Sequence, residues 1–204
     1  MTALPVTPRI STQRLLLREW RDDDCAPYAA LNADPDVMEH FPSTLTAKQS
    51  DEMIERMRAG WNNNGFGLWA VEVTDTSTGA EQLAGQCIGF VGFLAPTWTT
   101  SFTPCVEIGW RLAKEAWGRG YAPEGALAAL SWGFTHIDLP NDEVVSFTTV
   151  ANAKSRRVME KIGMVHDPSR DFDHPMVAGW SGSRHVLYSI DRPTFQAVSQ
   201  LAAL

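Results

Sequence analysis

Cysteines and long apolar runs are both scarce in this chain. Its 204 residues include three cysteines, Cys25, Cys87 and Cys105, and no Cys-x-x-Cys pair. This set predicts neither a disulfide framework nor a zinc site, and it favours a reducing, cytoplasmic setting. No apolar stretch approaches the roughly 20 residues that cross a bilayer, and residues 1–8 lack the basic start and apolar core of a signal peptide. We therefore expect neither a membrane partner nor a secretory leader.

Positive charge is also in the minority. Lysine and arginine total 17 against 24 acidic residues, which gives a formal net charge of −7 at pH 7. Phosphate backbones attract basic surfaces, so this balance argues against nucleic acid as a general partner and is compatible with a cationic acceptor such as an amine. Because there is no internal repeat and no long linker, we expect a single domain over residues 1–204, with its core at about 10–190 and short tails.

The familiar nucleotide-binding fingerprints are missing as well. The segment 106–112 alternates apolar with polar or small residues, which predicts a half-buried strand, and apolar residues recur at helical spacing from Ala122 onward. Between them lies a turn with Gly118 and Gly120. No Gly-Lys-Ser/Thr follows, which excludes a P-loop, and the spacing of a third glycine does not fit the Rossmann fingerprint.

The same turn nevertheless predicts an anion site. Gly118 and Gly120 can adopt backbone angles closed to other residues and let a ligand approach the main chain. Because the turn opens a helix, unpaired N–H groups and the positive end of the helix dipole face one point, which suits a phosphate or pyrophosphate. Taken alone, the pattern also fits an ordinary tight connection between a strand and a helix.

Local signals predict several further elements. Residues 142–150 are typical of a strand, and Asn152 and Gly163 are a good N-cap and a good C-terminal stop for the helix that follows. Three consecutive aspartates at 22–24 offer N-caps for an early helix.

A longer helix and a hairpin are predicted between these regions. Thr46 and Gln49 fit a capping box that opens the helix. The segments 66–74 and 87–94 predict an antiparallel hairpin with a polar loop between its strands.

Two segments together carry a family resemblance: 117–124, Trp-Gly-Arg-Gly-Tyr-Ala-Pro-Glu, and 152–164, Asn-Ala-Lys-Ser-Arg-Arg-Val-Met-Glu-Lys-Ile-Gly-Met. In this order, each after a predicted strand, they resemble the GNAT N-acetyltransferase superfamily, in its RimJ/RimL branch of ribosomal-protein N-terminal acetyltransferases. The resemblance implies an α/β (α+β) fold with a mixed, mostly antiparallel, strongly twisted sheet of about seven strands flanked by helices. It also implies a splay between the two central parallel strands.

The same resemblance implies an acetyl-CoA-dependent N-acetyltransferase. The acetyl group would move directly, in a ternary complex, to an amine that belongs to a protein N-terminus or to a small molecule. No metal is expected, and the enzyme would be a monomer or a homodimer. A non-catalytic acyl-CoA-binding or sensing domain on the same scaffold is the competing interpretation.

Cofactor contacts follow from matching the family's motifs residue by residue. The backbone of the central strand would meet the pantetheine arm, the glycine turn would hold the pyrophosphate, and the second helix would begin beside the sulfur. One position departs from the family pattern, because Trp117 stands where glutamine or arginine is common. The residues assigned to the cofactor are Arg111, Leu112, Trp117, Gly118, Arg119, Gly120, Tyr121, Ala122, Asn152 and Ser155.

The resemblance also places two catalytic groups. Glu107, which by alternation shares a strand face with Gly109 and Arg111, resembles the glutamate base of several GNAT enzymes; the alternative is a buried structural carboxylate paired with Arg111 or with a neighbouring strand. Ser155 is predicted to hydrogen-bond the leaving thiolate; the alternative is a helix-cap role shared with Asn152.

Other residues are candidates for the same roles. Tyr121 and Tyr188 are alternative donors. Neither Cys87 nor Cys105 has a base evident in the sequence, so a covalent route is not expected.

The acceptor side is predicted from two irregular segments. Met38 and Phe41 lie in the segment that, in the resembled family, walls the acceptor cleft, although apolar burial is an equal alternative. Asp173 and His174 lie in a late loop and are predicted to line the same pocket, against the alternative of solvated loop residues.

Overall fold

The computed structural model describes residues 7–75 and 79–202. The tip of the predicted hairpin loop, residues 76–78, lies outside this range, as does most of the N-terminal segment scanned for a signal peptide. No helix within the described ranges is both long and apolar enough to cross a membrane. The elements in chain order are β1 Ile10–Ser11, β2 Leu15–Arg18, α1 Cys25–Ala33, α2 Ala47–Asn64, β3 Leu68–Val73, β4 Cys87–Leu94, β5 Glu107–Leu112, α3 Tyr121–His136, β6 Glu143–Thr149, α4 Ala153–Lys161, β7 Val165–His166, β8 Phe172–Asp173, β9 Arg184–Asp191 and α5 Arg192–Ala202.

One sheet connects all the strands in the order β1-β2-β3-β4-β5-β6-β9-β7, with β8 also paired to β9. Every neighbouring pair is antiparallel except β5 and β6. This confirms the predicted mixed, mostly antiparallel sheet. The sheet has nine strands where about seven were expected, because β1, β7 and β8 are two residues long and too short for alternation to reveal.

The parallel pair at the centre barely touches. Glu107 and Val145 form its single register pair, and the Val145 amide donates to the Val106 carbonyl at 3.0 Å. Beyond this pair, toward their carboxyl ends, the two strands form no further backbone pairs, so β5 and β6 diverge as predicted. The gap leaves main-chain groups on both edges without strand partners.

The sheet buries a different apolar layer on each face. On one face α1 and α2 cover a cluster that includes Tyr28, Ile54 and Phe90. On the other, α3, α4 and α5 cover a larger cluster that includes Leu130 and Met159. The predicted capping box of α2 is present, because the Thr46 side chain accepts from the Gln49 amide and the Gln49 side chain accepts from the Thr46 amide.

The aspartates before α1 do not cap it through their side chains. Asp24 is the N-cap residue by position but makes no side-chain bond to the helix; its buried carboxylate instead accepts the preceding Arg21 amide at 2.8 Å and forms an ion pair with Arg18. Asp22 and Asp23 stay exposed.

Candidate active site

A cleft of about 950 Å³ opens where β5 and β6 diverge. Its walls come from β5 and the turn after it, the carboxyl end of β6, the start of α4 and the segment between α1 and α2. The late loop and the start of β9 close the remaining side with His174, Trp180 and His185. The cleft therefore gathers most, but not all, of the residues that the sequence assigns to a site.

The glycine turn forms the floor of one end. Gly118 and Gly120 have φ values of 75° and 82°, a left-handed conformation that favours glycine, and Gly120 is the N-cap of α3. Tyr121 and Ala122 begin the helix beside the cleft, and the amides of a first helical turn have no intrahelical partner. The turn thus provides main-chain donors and the positive end of a helix dipole, as the sequence predicts.

Two residues that the sequence did not single out for the site hold this turn in place. Arg14 donates from Nη1 to the Arg119 carbonyl at 2.9 Å and from Nε to Glu124 Oε2 at 2.7 Å. Glu124 Oε1 accepts the Thr12 hydroxyl at 2.6 Å. The β1–β2 hairpin therefore clamps the turn across more than 100 residues of sequence, and no local pattern signals such a contact.

Lys154 adds a positive charge to the cleft beside Trp117. Lys154, in the first turn of α4, places its Nζ 4.0 Å from the ring centroid of Trp117, and both residues line the cleft. Trp117 is fixed by its Nε1, which donates to the Leu112 carbonyl at 2.9 Å. The side chain of Arg119 lies outside the cleft lining and donates to the Glu115 carbonyl at 3.2 Å, and its assignment to the cofactor stays a prediction.

The backbone of β5 alternates between its two neighbours. The Ala113 amide donates to the Ile88 carbonyl at 2.8 Å, so in register the odd-numbered residues face β4. The even-numbered residues Trp110 and Leu112 then turn their main-chain groups toward the gap beside β6. The main-chain groups of Arg111 therefore face β4, which contradicts its predicted backbone contact in the gap, and those of Trp110 face the gap instead.

Glu107 has no counter-ion. Its half-buried side chain lines the cleft and lies near Gly109, and within the described residues it makes neither a hydrogen bond nor an ion pair. Desolvation raises the pKa of Glu107 to about 8, since no positive charge compensates for its burial. The alternative of a carboxylate paired with Arg111 does not hold, because Arg111 turns elsewhere.

Arg111 is buried on the same face of β5, with 9% of its surface exposed. Its Nη1 donates to Asn32 Oδ1 of α1 at 2.7 Å, and its guanidinium lies 4.2 Å from the ring centroid of Phe41 and 5.6 Å from that of Phe90. Its Nε is buried without a partner. Desolvation lowers the pKa of Arg111, and no carboxylate among the described residues opposes that effect.

Ser155 and Asn152 meet at the start of α4. Asn152 Oδ1 accepts the Ser155 amide at 3.1 Å, and its Nδ2 donates to the Thr148 hydroxyl at 2.9 Å. The Ser155 hydroxyl lines the cleft and makes no hydrogen bond to any described residue. Capping therefore uses the side chain of Asn152 and the backbone of Ser155, which leaves the hydroxyl available.

The alternative tyrosine donors differ in position. Tyr121 lines the cleft, and its hydroxyl lies 3.4 Å from Asp75 Oδ2. Tyr188 is buried away from the cleft, where its hydroxyl is engaged by Arg156 and Glu160 at 3.2 Å each.

Two neutral histidines stand on the opposite wall. The rings of His174 and His185 are 5.0 Å apart, in a cluster with Trp98, Phe147 and Phe172. Burial is the main reason that the pKa of His174 falls to about 4, and burial also lowers that of His185. Both side chains are therefore uncharged at neutral pH.

The tautomers of this pair are opposite. His174 Nδ1 accepts the Met176 amide at 3.2 Å, so its Nε2 carries the proton. His185 Nδ1 lies 2.8 Å from the Ser183 carbonyl and must donate to it, so its Nε2 keeps a lone pair. His174 Nε2 can therefore donate a hydrogen bond and His185 Nε2 can accept one, and both rings lie among apolar side chains.

The predicted acceptor residues separate into two groups. Phe41 and His174 line the cleft. Met38 does not, because it is buried with 5% exposure. Asp173 does not either: it is exposed, 3.9 Å from Arg184, since in the two-residue strand β8 it points away from the face that its neighbour Phe172 buries. The cleft assignments of Met38 and Asp173 are thus wrong.

Comparison with known proteins now bears on this geometry. The family model described as "Acetyltransferase (GNAT) domain" matches residues 14–165, about three quarters of the chain. The chain belongs to the GNAT acetyltransferase family. The general reaction of GNAT acetyltransferases is acyl transfer from acetyl-CoA to an amine acceptor, and the matched range contains both segments on which the resemblance rests.

Individual similarities agree with this membership. "Uncharacterized protein YkkB" of Bacillus subtilis (strain 168) is 33% identical over 157 residues, which cover 76% of this chain and 84% of that protein. The crystal structure of an acetyltransferase from Agrobacterium tumefaciens str. C58 gives a TM-score of 0.70 at 27% identity, over 91% of this chain and 95% of the other.

The fold is also similar to that of Mycobacterium smegmatis RimJ in complex with CoA-disulfide. The TM-score is 0.69 at 16% identity, covering 93% of this chain and 88% of that one. The predicted resemblance to the RimJ/RimL type is confirmed at the level of the fold.

Proposed function

We propose that this protein transfers an acetyl group directly from acetyl-CoA to an amine, with Glu107 as the general base. The observation that carries this role is a carboxylate without a counter-ion at the point where β5 and β6 part, with its pKa raised to about 8. A base whose pKa lies near the operating pH is well matched to taking a proton from an ammonium group. An amine must lose that proton before its lone pair can attack.

The residues present fit acetyl-CoA. The gap between β5 and β6 leaves the main-chain groups of Trp110 open to a chain of amides. Of Leu112 only the amide is open, because its carbonyl accepts from Trp117 Nε1. Donors at the glycine turn, Gly118 to Ala122, and the ammonium of Lys154 suit a pyrophosphate. When bound, acetyl-CoA supplies the activated thioester.

Residues of the chain supply the proton acceptor and the hydrogen-bond donors for the transfer. Glu107 holds the proton taken from the amine. The Leu112 amide, turned toward the gap, donates to the carbonyl oxygen on which negative charge develops. Ser155, whose hydroxyl has no other partner among the described residues, donates to the departing sulfur, while Asn152 fixes the first turn of α4 that carries it.

A covalent intermediate on cysteine finds no support. Burial raises the pKa of Cys105 to about 11 and that of Cys87 to about 12, so both stay protonated at neutral pH. Neither lines the cleft.

The test is the release of free CoA from acetyl-CoA with a panel of amines, for the wild type and for Glu107→Gln. The variant keeps the shape of the side chain and removes the proton acceptor, so we expect turnover at pH 7 to fall by roughly 10²-fold or more with little change in acetyl-CoA affinity. The deficit should shrink at high pH, where more of the amine is already deprotonated.

The control is Glu143→Gln, which alters a carboxylate on β6 that pairs with Arg170 outside the cleft. A folded Glu107→Gln variant with near-normal rates at pH 7 would remove Glu107 from the mechanism. Tight binding of acetyl-CoA with no turnover for any amine would instead favour the acyl-CoA-binding or sensing domain.

A further inference from the structure

We infer that the acceptor amine also carries a carboxylate, and that the side chain of Arg111 binds it. This inference rests on the proposed acetyl transfer and narrows it to a class of acceptor, the small amino carboxylic acids. It starts from a buried arginine whose side chain the transfer reaction itself does not use.

One edge of the Arg111 guanidinium is free. Nη1 is occupied by Asn32 Oδ1 at 2.7 Å. Nε is buried and has no hydrogen-bond partner. Nη2 also makes no hydrogen bond within the described part of the chain, but it is not fully buried. Nε and Nη2 form the side-on edge of the fork, which accepts the two oxygens of a carboxylate in parallel.

In two other arginines of this protein the same edge is filled by one carboxylate. Arg14 directs Nε and Nη2 to Glu124, at 2.7 and 2.6 Å. Arg192 directs the same two atoms to Asp142, at 2.8 and 2.7 Å. Arg111, which is buried more deeply than either, has no acidic partner among residues 7–75 and 79–202, and leaving such a cation unpaired is costly. A ligand carboxylate would remove that cost.

Arg111 and the groups assigned to the phosphates have different neighbours. Arg111 contacts Asn32 of α1 and the ring of Phe41 in the segment between α1 and α2, whereas Lys154 lies over the ring of Trp117, which directly precedes the glycine turn. Between Phe41 and Phe90 the fork offers a flat, two-donor edge, which suits a planar carboxylate better than a tetrahedral phosphate.

The same strand face then recognises both charges of the acceptor. Glu107 and Arg111 are four residues apart on β5, about 13 Å between their Cα atoms at strand spacing, and their side chains can shorten that span. The ammonium would face Glu107 and the carboxylate would face Arg111. Phe41, which is 39% exposed in the segment between α1 and α2, covers the guanidinium and would move aside as the ligand enters.

The experiment compares matched acceptors. Each of two amino acids, one α-amino and one with the amine several carbons away, is paired with its own carboxamide, and kcat/KM is measured for all four. We expect the wild type to prefer at least one carboxylate over its carboxamide by tenfold or more. In Arg111→Met the preference should fall to within about threefold of unity, and Arg111→Lys, which keeps the charge without the fork, should retain part of it.

Arg56→Met is the matched control, because it removes an exposed arginine from the same cleft and should leave the preference intact. A binding measurement makes the inference independent of turnover. The N-acetylated products, as carboxylate and as carboxamide, are titrated against the wild type and Arg111→Met by calorimetry.

The outcomes separate the two proposals. Equal treatment of carboxylate and carboxamide by the wild type, or a preference that survives in a folded Arg111→Met, overturns the carboxylate site while acetyl transfer stands. Carboxylate-selective binding that depends on Arg111 without any CoA release supports the site and contradicts the transfer reaction.

Discussion

Two buried arginines on different strands of the sheet have opposite surroundings. Arg18 of β2 is 2% exposed and donates to Glu72 at 2.6 Å and to Asp24 at 2.7 and 2.8 Å. Arg111 of β5 is 9% exposed and has one neutral partner, Asn32. Both side chains point to the layer beneath α1, so burial alone does not distinguish them.

Their acid–base behaviour differs accordingly. Burial tends to lower the pKa of Arg18, but the hydrogen bonds to Asp24 and Glu72 outweigh it and the pKa is raised. Burial lowers the pKa of Arg111 with no such compensation. Two acids differ in the same way. Burial tends to raise the pKa of Asp24, but hydrogen bonds from Arg18 and from a backbone amide outweigh it and lower that pKa. Burial raises the pKa of Glu107 without such compensation.

The contrast separates a region that neutralises its own charges from the proposed ligand site. Around α1 and β2 the buried charges are paired within the chain. In the cleft, Glu107 and the Ser155 hydroxyl have no hydrogen-bond partner among the described residues, and Arg111 has only the neutral Asn32; incompletely paired groups of this kind are typical of functional sites. Matched changes in the two regions test this difference.

The largest effect is expected in the paired region. Asp24→Asn leaves Arg18 buried with one of its two acidic partners gone, which should lower the free energy of unfolding by about 3–5 kcal/mol. Urea unfolding at pH 7 measures it, with the exposed Asp23→Asn as control. Acetyl transfer should follow only the folded fraction, and a stability loss no larger than that of the control would contradict the structural role.

The pH dependence of stability should have opposite signs for the two acids. The lowered pKa of Asp24 contributes stability at neutral pH that is lost as the pH falls below about 4. The raised pKa of Glu107 means that the native state holds its proton longer than the unfolded state, so stability falls as the pH rises from about 4.5 to about 8.

Glu107→Gln removes that second decline. Between pH 5 and pH 9 the free energy of unfolding of the variant, relative to that of the wild type, should rise by roughly 1–3 kcal/mol, after allowance for solvent screening in the cleft. Melting curves at both pH values provide the measurement. Parallel curves for the two proteins would mean that Glu107 is solvated like an ordinary surface carboxylate.

Two glycines with similar angles should respond differently. Gly65 ends α2 with φ 72° and Gly120 precedes α3 with φ 82°, so valine strains the backbone at either position. Only Gly120→Val should also weaken acetyl-CoA binding, by more than tenfold or about 1.4 kcal/mol, because its side chain would obstruct the main-chain approach. Calorimetry of both variants decides it, and equal affinities in folded proteins would place the pyrophosphate elsewhere.

Two serines give the smallest expected difference. Ser50 is buried, donates to the Thr46 carbonyl at 3.0 Å and accepts from Asn32, so Ser50→Ala should cost about 1 kcal/mol of stability. Ser155→Ala should leave stability unchanged and lower kcat by up to about tenfold, more than it weakens acetyl-CoA binding. Equal losses in kcat and affinity would indicate that Ser155 merely supports the start of α4.

Backbone features could be predicted because their causes lie within a few residues. The glycine turn, the Asn152 cap, the stop at Gly163 and the Thr46 capping box depend on angles or on contacts three or four positions away. Period-2 alternation placed Glu107 on the cleft face of β5 in the same way. Strands two residues long carry too little pattern to be found, which is why the sheet has more strands than expected.

The sequence by itself determined the order of the longer elements, the position of the glycine turn and the face on which Glu107 lies. Only the tertiary structure decided which polar groups have partners in distant segments. Arg111 meets Asn32 across 79 residues and Arg14 meets Glu124 across 110, while Met38 and Asp173 turn away from the cleft through packing and pleat. Each of these contacts joins segments that are distant in sequence, and no local spacing encodes such a contact.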